Sequence, residues 1–98
     1  MVSPHQLYEL RQRLIQIRND MLDVLRKIES TTKELMNCLL QKNLCDARRV
    51  VELTNYLRKY VTWLRKYQLE YILQYNQFYK AYIEAPEQVR KKYLEMIR

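Results

Sequence analysis

The chain has 98 residues with no glycine, two prolines and a net charge of +7. Tight hairpin turns need residues with positive φ, which glycine adopts most easily, so this composition argues against a sheet and favours a few long helices. We therefore predict one all-α domain that spans residues 1–98.

The charge and the cysteine and histidine content narrow the classes of function. A net charge of +7 suits a polyanionic partner such as nucleic acid, with solubility alone as the competing explanation. Two cysteines and one histidine supply neither a disulfide framework nor the usual zinc sites, so we expect no metal and no other cofactor. The absence of glycine, with many tyrosines and charged residues, hints at a thermophile.

The hydropathy pattern bears on localisation. The N-terminus lacks the apolar core of a signal peptide, and no segment approaches the apolar length of a membrane span. We therefore expect an intracellular, cytoplasmic protein, or a nucleoid or nuclear one if it binds nucleic acid.

The first predicted element is a helix from about Pro4 to Lys42. Ser3 and Gln6 form a capping-box pattern, with proline at the first helical position. Residues at alternating spacings of three and four then continue as one heptad seam. The seam consists of Leu7, Leu10, Leu14, Ile17, Met21, Val24, Ile28, Thr31, Leu35 and Cys38. Thr31 is polar, which leaves open a bend of the helix at this position.

A turn at residues 43–46 separates this helix from a second one, predicted over about 46–84. Asparagine tolerates the left-handed conformation that ends helices, and Asp46 is a good N-cap. Ala85 and Pro86 end the second helix, because proline disfavours helix at the residue before it. A short third helix then follows over about 86–97.

The second helix carries an aromatic residue at nearly every turn between Tyr56 and Tyr82. In an antiparallel hairpin, facing residues have position numbers with a nearly constant sum, which pairs the seam of helix 1 with the aromatic stripe of helix 2. This register predicts that most of the rings fill the core and do not stack on bases. The rings assigned to the core are Tyr60, Tyr67, Tyr71, Tyr75 and Phe78.

Further apolar residues lie outside this register. Leu69 and Leu73 fall on the side of helix 2 opposite the seam, while Ile15 and Leu22 belong to a second apolar row on helix 1. A single hairpin cannot cover all of this surface, so we predict these four residues as a protein interface. Two hairpins would then form a homodimeric, coiled-coil-like bundle, with helix 3 covering part of the remainder.

The basic residues of helix 2 lie away from the tyrosines. Arg58 and Arg65 are seven residues apart, as are Lys59 and Lys66, so each pair shares a helix face. Phosphate binding needs such a row of cations, and Trp63 beside it is a candidate for stacking. The predicted nucleic-acid-binding residues are Arg48, Arg58, Lys59, Trp63, Arg65, Lys66 and Lys80.

Cys38 and Cys45 flank the predicted turn, and the hairpin brings them close together. A disulfide between them is one alternative, which suits the cytosol of a hyperthermophile. Two reduced and buried thiols are the alternative that we favour.

The chain offers little for catalysis. Its long first helix with Leu10 and Arg11 near the start is similar to that of the all-helical chorismate mutases, but Ile28 stands where those enzymes place a second catalytic arginine. There is no Ser-His or Cys-His arrangement and no glycine-rich phosphate loop. We therefore expect no enzymatic activity and no small-molecule substrate.

Together these patterns favour a small basic helical module. It would bind nucleic acid, or serve as an accessory subunit of a nucleic-acid-processing complex, through phosphate contacts with little sequence readout. The alternative is a protein–protein adaptor or a structural subunit of a larger assembly, with no direct nucleic-acid contact. Binding to a membrane surface ranks third, because the main apolar face of the helices is predicted to lie in the protein core and is then not available to a membrane.

Overall fold

The computed structural model describes residues 2–41 and 45–98, and every regular element in these ranges is an α-helix. Helix α1 comprises Pro4–Leu40, α2 comprises Ala47–Glu84 and α3 comprises Glu87–Met96. Helices α1 and α2 pack together extensively and α3 packs less, which confirms the predicted all-α hairpin with a short third helix. The predicted end of helix 1 at Lys42 and the first predicted turn residues, 43 and 44, lie outside the described residues.

Helices α1 and α2 begin within one residue of the predicted positions, with the predicted side chains as caps. The backbone N–H of Gln6 donates to Ser3 Oγ at 3.1 Å, and the N–H of Ser3 donates to Gln6 Oε1 at 2.8 Å. These two bonds complete a capping box. At the start of α2, the N–H of Arg49 donates to Asp46 Oδ1 at 2.9 Å, so Asp46 is the N-cap of this helix.

The buried side of α1 is the predicted heptad seam. The buried seam members are Leu7, Leu14, Ile17, Val24, Thr31 and Cys38. The half-buried members are Leu10, Met21, Ile28 and Leu35. Helix α1 continues through Thr31, so the helix is not broken at this position.

The chain divides into two compact units, and each long helix contributes to both. Unit 1 comprises Met1–Asn19 and Leu69–Arg98. Its core is formed by Leu7, Ala85 and Tyr93. The half-buried side chains around this core are Val2, Tyr8, Phe78, Ala81, Tyr82, Val89 and Ile97. Helix α3 thus covers apolar surface of this unit at the seam between the two long helices, whereas the prediction assigned it to surface outside that seam.

Unit 2 comprises Asp20–Gln68, in which the second half of α1 lies antiparallel to the first half of α2. Among the residues of this unit that the structure describes, Leu53 is the most buried, with 1% exposure. A disulfide joins Cys38 to Cys45, with their Cα atoms 5.2 Å apart, within the range that disulfide geometry allows. Our preference for two reduced thiols is therefore wrong for this structure, and the alternative state is the one observed.

The prediction that the aromatic residues form the core is right only in part. Tyr60, Tyr67, Tyr71 and Phe78 are half-buried, whereas Tyr75 is 48% exposed. At about 100° per residue, Tyr75 points about 60° away from Phe78, which packs on the core.

Much of the ring contact runs along α2 itself. Tyr71 and Tyr75 stack with centroids 6.4 Å apart, and Tyr75 and Tyr79 stack at 6.3 Å. In unit 2, Tyr56 and Tyr60 stack at 6.4 Å. A tyrosine at every turn therefore forms ladders between neighbouring turns as well as contacts with the core.

Candidate nucleic-acid interface

Four of the predicted basic residues form one exposed surface on α2 in unit 2. Arg58, Lys59, Arg65 and Lys66 are all exposed, and no acidic residue occurs between positions 53 and 68. Because an α-helix rises by 1.5 Å per residue, the members of each seven-residue pair lie about 10 Å apart along the axis. We call these four residues the basic ridge.

The charges of the basic ridge are not neutralised by neighbouring carboxylates. Among residues 2–41 and 45–98, none of the four forms an ion pair. By contrast, two cations on α1 in unit 2 are paired: Arg26 lies 3.1 Å from Asp23, and Lys33 lies 3.3 Å from Glu29. The ridge therefore carries a local excess of positive charge that an anion can neutralise.

Trp63 lies against two lysines and does not offer a free ring. Its ring centroid is 4.7 Å from Lys59 Nζ and 5.7 Å from Lys27 Nζ, both within the range of cation–π contacts. Tyr60 makes a tilted contact with the same ring at 5.7 Å, and Trp63 is half-buried. This geometry favours packing beside the ridge over stacking on a base.

Lys27 is a cation that our sequence prediction missed. It belongs to α1, whereas all seven predicted nucleic-acid-binding residues belong to α2. In the predicted antiparallel register, Lys27 lies within one helical turn of the position that faces Trp63, so the sequence did contain a signal for this contact. It was missed because only apolar residues were paired across the hairpin.

A shallow groove borders the ridge. The residues that line it are Thr54, Leu57, Arg58, Val61, Thr62 and Arg65. The hydroxyl of Thr62 donates to the backbone C=O of Arg58 at 2.9 Å, so it is directed at its own helix. The guanidinium groups of Arg58 and Arg65 are then the main hydrogen-bond donors of the groove, and their planar fork matches the oxygens of a phosphate.

Arg48 and Lys80 are exposed but lie outside the basic ridge. Lys80 belongs to unit 1, whereas Arg48 lies at the start of α2 beside Arg49. Arg49 donates hydrogen bonds to Glu34 and, at 2.9 Å, to Glu52. The hydrogen bond to Glu34 raises the pKa of Arg49, since it favours the charged guanidinium. This arginine therefore connects α1 to α2 and is not available as a free cation.

The predicted protein-interface residues differ in exposure. Leu69 and Leu73 are 66% and 62% exposed, and both lie on the part of α2 that belongs to unit 1. Leu22 is 42% exposed and belongs to unit 2, whereas Ile15 is half-buried in unit 1. Leu69 and Leu73, one helical turn apart, share one exposed surface.

In residues 2–41 and 45–98, no group of His, Cys, Asp and Glu side chains is arranged to hold a metal ion. None of the helices found there is long and apolar enough to cross a membrane. Comparison with known proteins found no matching family, no matching curated protein and no matching solved structure.

Proposed function

We propose that this protein binds nucleic acid through contacts between the basic ridge and phosphate groups. The observation that carries the proposal is the set of four exposed cations on two turns of α2 that have no carboxylate partner in the part of the chain that the structure describes. A surface of this kind attracts polyanions and releases their bound counterions on binding. Lys27, beside Trp63, adds a cation from α1.

The spacing of the ridge suits a nucleic-acid backbone. Arg58 and Arg65 are about 10 Å apart along the helix, close to the length of three nucleotides at about 3.4 Å each. The arginines would bind phosphate oxygens with two N–H groups each, and the lysines would act as point charges. Because Trp63 is covered by lysines, these contacts carry little information about base sequence.

The proposal is tested by fluorescence anisotropy with labelled single-stranded and double-stranded DNA and RNA at low salt. The test variant reverses the ridge with Arg58→Glu, Lys59→Glu, Arg65→Glu and Lys66→Glu. The matched control reverses four exposed cations elsewhere, with Arg13→Glu, Arg18→Glu, Lys91→Glu and Lys92→Glu. Both variants have the same net charge, so a difference between them reports on position.

Binding by the wild type and the control, with loss of binding by the ridge variant, is the expected result. Each lost phosphate contact reduces by about one the slope of the logarithm of the association constant against the logarithm of salt concentration. We therefore expect the four ridge substitutions to lower the affinity by two or more orders of magnitude. Equal weakening by both variants would mean that net charge alone attracts the probe. The basic ridge would then have no specific role.

The second candidate function is that of a protein–protein adaptor without nucleic-acid contact. The observation that favours it is the exposure of Leu69 and Leu73, because soluble proteins seldom leave adjacent large apolar side chains in water. An adaptor keeps its partner when the ridge is reversed and loses it with Leu69→Asp and Leu73→Asp. A nucleic-acid-binding protein shows the opposite pattern in the anisotropy assay.

A further inference from the structure

A regular row of exposed side chains runs along the part of α2 that belongs to unit 1. The row consists of Leu69, Ile72, Asn76, Tyr79 and Ile83, at alternating spacings of three and four residues. Its four apolar members are 66%, 55%, 54% and 53% exposed, in that order, and Asn76 is also exposed. This is the heptad pattern by which helices pair, with one polar residue in the middle. We call it the outer seam.

The outer seam takes no part in the core of its own unit. At about 100° per residue, its members point between about 100° and 180° away from Phe78, which packs on the core. Neighbouring Lys80 and Leu73 border the seam on one side, and both are exposed. Four large apolar residues in a row on one helix are the kind of surface that protein interfaces cover.

The pattern of the outer seam is complementary to itself when it is reversed. Leu69 lies seven residues before Asn76 and Ile83 lies seven after it, while Ile72 and Tyr79 lie four before and three after. We propose that a second copy of this chain docks antiparallel on the outer seam. Leu69 then packs on Ile83 of the second copy, Ile72 packs on Tyr79, and the two Asn76 residues meet at the twofold axis.

Asn76 gives the proposed pairing its register. An asparagine side chain has both a donor and an acceptor, so two copies can hydrogen-bond to each other when they face across a symmetry axis. A single asparagine at a seam position fixes register in helical pairs, because every shifted register leaves its amide buried against apolar side chains. A partner of different sequence would need its own polar residue at the same place.

Charge favours the antiparallel orientation. By sequence spacing, the seam position before Leu69 is Arg65, which a parallel pair would place against its own copy. An antiparallel pair moves these like charges to opposite ends. It also sets Leu73 beside Lys80 of the second copy, whose aliphatic stem can cover the leucine while its ammonium group stays in water.

The association is tested by sedimentation equilibrium of the full chain up to near-millimolar concentration. We expect the mass to rise from that of the 12.2 kDa chain to twice this value. The variant Ile72→Asp with Tyr79→Asp should stay monomeric. Val51→Asp is the matched control, since Val51 is 59% exposed on the same helix but outside the seam, and it should still dimerise. Circular dichroism checks that each variant remains helical.

Orientation is tested with introduced cysteines under oxidising conditions, with the Cys38–Cys45 disulfide left in place. Leu69→Cys mixed with Ile83→Cys should give a covalent heterodimer, and Leu69→Cys alone should not. Cross-linking of Leu69→Cys to itself would overturn the antiparallel arrangement. A wild type that stays monomeric, or a seam variant that still dimerises, would overturn the proposal and leave the seam to a different protein.

Discussion

Leu53 is the residue through which the packing of unit 2 can be measured most directly. It is 1% exposed, so truncation to alanine removes about three carbon atoms from a fully buried position. Transfer of these groups to water costs about 2.4 kcal/mol at about 0.8 kcal/mol each, and the cavity left behind brings the total loss to about 2.5–5 kcal/mol. We therefore expect Leu53→Ala to lower the free energy of unfolding by that amount.

Val51 supplies the matched control for this measurement, two residues away on the same helix. It is 59% exposed, and alanine is the better helix former, so we expect Val51→Ala to change the free energy of unfolding by less than about 0.7 kcal/mol. Urea unfolding is followed by the fluorescence of Trp63, the sole tryptophan, which belongs to the same unit. Equal losses in the two variants would refute the packing of unit 2 described above.

Three further predictions concern other contacts. Reduction of the Cys38–Cys45 disulfide, whose cysteines are 7 positions apart, should lower the free energy of unfolding by about 2.5 kcal/mol in the chain-entropy model, and an unchanged urea midpoint after reduction would contradict it. Asp46→Ala removes the cap of α2 and should cost about 1 kcal/mol, whereas Asp46→Asn should cost much less; equal losses would argue against a capping role. Burial raises the pKa of Tyr93 above its ordinary value of 10.0, and Arg11 has a smaller opposing effect. Because the folded state thus favours the neutral phenol, Tyr93 contributes to the free energy of unfolding at lower pH, and this contribution is lost as the pH rises through the folded pKa. Alkaline unfolding followed by circular dichroism should therefore be less steep in Tyr93→Phe than in wild type, and identical profiles would show that Tyr93 does not contribute.

The helices were predictable because their signals are local. Ser3 with Gln6, and Asp46 before Ala47, supply the hydrogen bonds that open α1 and α2, and the observed bonds are the expected ones. The heptad spacing of α1 likewise identified its buried side, including Thr31. Capping and periodicity depend on neighbours within a few residues, which a sequence displays directly.

What the sequence did not predict depends on contacts between distant segments. The core of unit 1 joins Leu7 to Ala85 and Tyr93, and helix periodicity does not determine where α3 packs. Tyr75 was assigned to the core together with Tyr71 and Phe78, yet a deviation of about 60° around the helix from Phe78 leaves it exposed. Trp63 was a candidate for stacking on a base, but Lys27 reaches its ring from α1 and Lys59 lies against it from its own helix.

The division of charge along the chain connects the fold to the proposed function. Arg49 and Glu34 connect α1 to α2, so this cation is occupied by the fold. The basic ridge has no such carboxylate within the described residues, and α1 contributes Lys27 beside it. A carboxylate within reach thus distinguishes the two kinds of cation. Arg49 has such a carboxylate and serves the fold, whereas the cations of the basic ridge have none in the part of the chain that the structure describes and remain for a ligand.

The measurement that tests the central claim most directly is the salt dependence of binding to a short DNA duplex. Four phosphate contacts predict that the logarithm of the association constant falls with the logarithm of salt concentration with a slope of about −3.6. The alanine variant Arg58→Ala with Arg65→Ala should reduce the magnitude of that slope by about two. No binding at low salt, or the same slope in the alanine variant and the wild type, would contradict phosphate binding by the basic ridge.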